Sequence, residues 1–146
     1  MQADADILEI AHVIQLAVAP VFLLTGIASL LAVLTNRLGR IIDRARLLEG
    51  RLMDITGEHK SVMSIDLHML SRRSRYMNRA IILCTLAALL ICLLIAALFI
   101  SAFYVADISR LVAAVFVLAM LCLTLGLVFF LREVQLATAS LRIGPH

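Results

Sequence analysis

"LTNRLGRIIDRARLLEG", Leu34–Gly50, leaves a long uncharged run and enters a charged one, with Arg37, Arg40, Arg44 and Arg46 arriving within ten positions. Upstream, Ile10 to Asn36 holds no Asp, Glu, Lys or Arg over 27 residues; two further runs, Ala80 to Ala106 and Leu111 to Leu131, are uncharged over 27 and 21 residues. Each exceeds the roughly 20 residues that a helix needs to cross about 30 Å of hydrocarbon. With 63% hydrophobic residues, 16% charged residues and a mean hydropathy of +1.05, the chain is too apolar for a soluble domain of its size. The expected fold is all-α: an integral membrane protein with three transmembrane helices, a single membrane domain over residues 1–146 with spans at about 10–36, 80–106 and 111–131.

The first run is expected to be retained and not cleaved as a signal peptide, because Asp4, Asp6 and Glu9 precede it where a leader carries basic residues. Orientation follows from the basic residues. Ten of the thirteen Lys and Arg residues fall between Arg37 and Arg79, two more follow span three, one lies between spans two and three, and none precedes span one. The positive-inside bias then puts the N-terminus outside and the C-terminus in the cytoplasm. Tyr76 and Tyr104 flank the second span as interfacial aromatics. Nucleic-acid binding is excluded: the basic residues are interleaved with Asp43, Glu49, Asp54, Glu58 and Asp66, and no zinc-finger spacing or stacking platform accompanies them.

The apolar spacing beyond the membrane carries more. Leu31, Leu34, Leu38, Ile41, Ala45, Leu48, Leu52 and Ile55 alternate steps of three and four, the seam of a helix packed on another helix. Met63, Leu67, Leu70, Ser74, Met77, Ile81 and Cys84 repeat the rhythm into span two. Paired antiparallel, Ile55 meets Met63, Leu52 meets Leu67, Leu48 meets Leu70, Ala45 meets Ser74, Ile41 meets Met77 and Leu38 meets Ile81. One turn at about 56–61, "TGEHKS", closes them all, with Gly57 ending the first helix. Spans one and two are thus expected to extend into a cytoplasmic antiparallel helical hairpin over about 37–79, some 25 Å long. On its flank Arg51 is expected to meet Asp66, while Arg44 faces Arg73, a like-charge level that needs an anion, a carboxylate or solvent.

Helix one has a second face. Gln15, Phe22, Ser29 and Asn36 recur every seven residues, with Ala19, Gly26, Val33 and Arg40 between them. A polar stripe is costly against lipid, and cyclic self-assembly would bury it at an axis. Gln15, Phe22, Ser29, Asn36 and Arg40 are therefore the candidate pore-lining residues, with Asn36 and Arg40 at the inner mouth. Close helix packing through Gly26 and Ser29 explains the same residues without conduction. Pro20 removes a backbone hydrogen bond within span one and is expected to kink it. Ala80, Cys84, Ala88, Cys92 and Ala96, spaced by four, read as a small-residue ridge for span three.

Other chemistry is sparse. Cys84, Cys92 and Cys122 lie in the spans with no paired spacing and read as packing residues. His12, His59 and His68 lack further ligands, so no metal and no cofactor is expected. The span interiors carry no acidic or basic residue, leaving no charge relay, and no enzyme is expected. Arg132 and Glu133, just past span three, read as interfacial anchors, with Arg73 or Arg79 as alternative partners. Arg44, Arg72, Arg73, Arg75 and Arg79 are candidate contacts for anionic membrane lipids.

"PVFLLTGIASLLAVLTNRLGRIIDRARLLEG" (Pro20–Gly50), "LSRRSRYMNRAI" (Leu70–Ile81) and "FFLREVQLA" (Phe129–Ala137) resemble a family of small bacterial three-helix membrane proteins catalogued as a domain of unknown function. The resemblance implies a bacterial inner-membrane protein and no particular activity. Two readings remain. One is a homo-oligomer that conducts ions along the first helix; the other is a non-conducting structural or accessory subunit whose hairpin docks on an unidentified membrane-protein partner.

Overall fold

The computed structural model describes residues 2–54, 59–101 and 109–141; side chains are described at 7–51, 63–101 and 109–138. All of the described backbone is helical: α1 runs Gln2–Asp54, α2 His59–Ser101 and α3 Ser109–Leu141, with no strand among the described residues. All three are long and apolar enough to cross a membrane. The fold is all-α. Helix α1 continues through Pro20, as a membrane helix tolerates when its surroundings compensate for one lost backbone bond. Its outgoing arginines do not interrupt it either, since Arg is a good helix former and Leu and Ile recur between them. The expected turn at 56–61 begins outside the described residues; α1 ends at Asp54 and α2 starts at His59.

The chain groups into two compact units, Met1–Leu30 with Leu83–Thr124, and Leu31–Ile82 with Leu125–His146. The first is built on small and branched apolar residues. Val13, Ala17 and Ile27 are buried on α1, Cys84, Ala87, Ile91 and Leu94 on α2, and Ala119 and Cys122 on α3. Steps of three and four separate the α2 positions, so the buried face follows a heptad seam. The expected ridge of every fourth residue does not: Cys92 and Ala96 are exposed, because a four-residue step adds 400° and drifts about 40° around the helix each time.

In the second unit the seam positions Ile41, Leu70 and Met77 are buried, and Leu38, Ala45, Leu48, Met63, Leu67, Ser74 and Ile81 are half-buried. The positions between them are mostly exposed, among them Ile42, Asp43, Arg46 and Leu47 on α1. The side chains of Leu52 and Ile55 lie outside the described residues. Ala45 and Ser74 border one open groove, where two small side chains leave space that a larger pair would fill. Arg51 and Asp66 are both exposed, and the ion pairs of the described residues lie elsewhere, on Glu133. Leu34 and Met77 are among the largest side chains with no exposure. So is Glu133.

Candidate functional site

Glu133 owes its burial to its register. On α3, Ala119, Gly126 and Glu133 recur every seven residues and all three are buried. On α2, Arg73 and the buried Ala80 share the same spacing. A heptad seam returns to one face every two turns, so Arg73 and Glu133 take positions that small residues occupy elsewhere on the same faces. Two small residues allow close approach there; a carboxylate and a guanidinium fill the space instead.

Three helices contribute to the centre. Arg73 on α2 donates from both Nε, at 3.2 Å, and Nη2, at 2.8 Å, to the same oxygen, Oε1 of Glu133. Arg37 on α1 brings its Nη2 to 3.4 Å from the other oxygen, Oε2. That second contact is an ion pair without hydrogen-bond geometry, and Oε2 has no hydrogen-bond partner. The Glu133 side chain is 0% exposed, against 23% for Arg73 and 30% for Arg37. One enclosed carboxylate therefore faces two guanidinium groups that keep an edge towards solvent.

Desolvating a lone carboxylate costs several kcal/mol, and two opposite charges are the arrangement that offsets this. Charge-assisted hydrogen bonds make the Arg73 contact the stronger of the two. The aromatic pair before Leu131 flanks one of these cations, Arg37, and a further arginine, Arg79. Arg37 lies over Phe130 at 5.3 Å from its centroid, Arg79 over Phe129 at 6.0 Å, and Tyr76 packs on Phe129 with centroids 6.2 Å apart, tilted by 34°. Contacts of this kind contribute about 0.5–1 kcal/mol each at exposed sites.

This revises the reading of "LREVQL". Glu133 is a buried tie among the three helices, paired with Arg73 as the alternative reading of this stretch expects, and not an interfacial anchor, whereas Arg132 is exposed. It also resolves the like-charge level that faced Arg44 with Arg73, since a carboxylate is what Arg73 receives. Arg37 was not singled out from the sequence as a site residue. Its signal was there: Glu133 is the one acidic residue after Asp107 and stands at a seam position in an otherwise small-residue series.

The five expected lipid contacts fall into separate groups. Arg72, Arg75 and Arg79 line a small cleft of about 130 Å³ with Tyr76. Arg44 and Arg73 instead border a groove of about 460 Å³ with Arg37, Arg40 and Glu133. The stripe on α1 points outward: Gln15, Phe22, Ser29, Asn36 and Arg40 are all exposed, Phe22 by 74%. A Cβ added at Gly26 would meet nothing within 4 Å. Ser29 Oγ donates to the Thr25 carbonyl oxygen at 3.1 Å, so its proton is already used within the helix. His12 and His68 are exposed, and the side chain of His59 lies outside the described residues.

The residues of this centre and all but the first of the stripe fall within one sequence match. The model of a family described as "Protein of unknown function (DUF2721)" covers residues 17–143. The chain belongs to the DUF2721 family. The match takes in Arg37, Arg73 and Glu133 together with Phe22, Ser29, Asn36 and Arg40, and leaves Gln15 outside. No curated protein and no solved structure matches the chain.

Proposed function

We propose that this DUF2721 protein is a homo-oligomer of the bacterial cytoplasmic membrane, N-terminus outside and C-terminus in the cytoplasm, whose copies meet along α1 and enclose an ion-conducting path. The observation that carries the reading is the outward stripe. Phe22, Ser29, Asn36 and Arg40 are exposed on the single chain, while Ile27, Leu34 and Ile41 on another face of α1 are buried within it. An amide such as Asn36 facing hydrocarbon is unfavourable, and a symmetric ring of copies removes it from lipid at every subunit at once. Phe22 supplies the apolar constriction between polar rings that a gate requires. The basic residues between Arg37 and Arg79 support the orientation.

A second reading rests on a different surface. Leu47 and Ile65 are 63% and 60% exposed within residues 37–79, outside the uncharged runs, where water is the alternative to a partner. An accessory subunit that docks another membrane protein through the hairpin would cover them.

Purified full-length protein in planar bilayers separates the two. Conduction is expected from the wild type, and Asn36→Leu should lower the unitary current several-fold while the oligomer stays intact. Silence of an intact wild-type oligomer, together with a stoichiometric partner recovered from native membranes and lost in Leu47→Asp, would establish the accessory role instead.

A further inference from the structure

The groove bordered by Arg37, Arg40, Arg44 and Arg73 holds more positive charge than its one carboxylate neutralises. Glu133 engages Arg37 and Arg73, which leaves that trio with one net positive charge. Arg40 and Arg44 are exposed, and neither has an ion-pair partner among the described residues. Three of the arginines follow one another on α1 at steps of three and four, so their guanidinium groups climb one face of the helix over about 10 Å. Glu133 lines the groove too, but its carboxylate is fully enclosed and holds two of the four cations in place, and a fixed guanidinium fork loses less freedom on binding an anion.

The place of the groove selects the anion. Val33, on its wall, belongs to the uncharged run that ends at Asn36, and Arg37, Arg40 and Arg44 come directly after it. Ile41 and Leu70 add apolar wall on the charged side. A ligand that fits must present negative charge about a turn beyond the hydrocarbon edge and an apolar portion at the edge itself. The headgroup layer on either side of a bilayer is about 5–7 Å deep, so Arg37 and Arg40, about 4.5 Å apart along the helix, both fall within it, and Arg44, about 10 Å from Arg37, reaches back to it.

We propose that this groove is a binding site for the phosphate of an acidic phospholipid headgroup, held by Arg40 and Arg44 with the outer edges of Arg37 and Arg73. The groove shares Arg40 with the inner end of the α1 stripe, but its readout is lipid retention and not current, so its failure and the failure of the conducting reading are distinguishable. The lipid is a phosphodiester carrying a net negative charge; a zwitterionic headgroup brings its own cation into a groove already rich in them.

The test is native mass spectrometry of the full-length chain released from detergent with phosphatidylglycerol or phosphatidylcholine added. The wild type should retain phosphatidylglycerol in preference to phosphatidylcholine, and Arg40→Gln/Arg44→Gln should lower that retention at least tenfold, given about fivefold for each basic residue near an anionic surface. Arg46→Gln/Arg51→Gln removes the same charge from an exposed part of α1 outside the groove and should keep the preference. Equal loss in both double variants would overturn the site in favour of diffuse attraction. Displacement of the lipid by millimolar inorganic phosphate, with phosphate retained in its place, would overturn the lipid assignment in favour of a free-anion site. Circular dichroism guards against misfolding, and Arg40→Lys/Arg44→Lys, which keeps the charges, should retain most of the binding.

Discussion

The two compact units bury different things. In the unit of Met1–Leu30 and Leu83–Thr124 the interior is Ala17, Ala87, Ala119, Cys84 and Cys122 beside Ile27, Ile91 and Leu94. In the unit of Leu31–Ile82 and Leu125–His146, Leu34, Ile41 and Met77 share the interior with a carboxylate and two half-buried arginines. Lipid is as apolar as leucine, so the first unit draws its association from close backbone approach and dispersion between small side chains. The second is tied by charge, which is directional and intolerant of a missing partner. Seven-residue spacing underlies both, and the residue placed on it decides which kind of packing results.

Removing the central charge should break that contrast most. Glu133→Ala leaves Arg37 and Arg73 facing each other and should cost about 3–5 kcal/mol, read as a lower SDS midpoint for unfolding of the reconstituted chain. A cost below about 1 kcal/mol would mean that the second unit packs as permissively as the first. Arg73→Leu comes next, at about 2–3 kcal/mol in the same titration, because it removes both hydrogen bonds to Oε1 and leaves the carboxylate with a contact that lacks hydrogen-bond geometry.

Crowding is the failure expected of the small-residue unit. Ala87→Leu adds volume where there is no exposure and should cost about 1–3 kcal/mol, whereas Leu89→Ala, at an exposed neighbouring position, should be nearly silent. Arg37→Leu should cost about 1 kcal/mol: its ion pair is longer, its side chain is 30% exposed, and the leucine still packs on Phe130. The smallest effect belongs to Cys92→Ala, below about 0.5 kcal/mol, since Cys92 is exposed on a helix whose buried face lies elsewhere.

Parts of this were readable along the chain and parts were not. The three uncharged runs correspond to three long apolar helices, because hydrophobic length is a local property that tertiary contacts do not revise. For Glu133 the chain offers two readings, a charge at a membrane edge, the ordinary meaning of a charged residue two positions after an apolar run, and a partner for Arg73 or Arg79; the pairing with Arg73 is the one the structure bears out. Its actual partners are sixty residues away on α2 and further still on α1. The ridge of Ala80, Cys84, Ala88, Cys92 and Ala96 erred for a simpler reason: a strict step of four and an alternation of three and four agree for one turn and then diverge, and burial follows the alternation.

The sequence by itself determined the class of the protein, the number of its long apolar helices, and the seam rhythm on α1 and α2. Each of these depends on composition or on spacing within one helix, and needs no knowledge of neighbours. Only the tertiary structure decided between Arg73 and Arg79 as partners of the one carboxylate after Asp107, added Arg37 to it, and enclosed it. The register between α2 and α3 sets that choice, and register comes from how side chains of different helices interlock. A shift of one residue turns a helix by 100° and would carry Glu133 off the face it shares with Gly126 and Ala119.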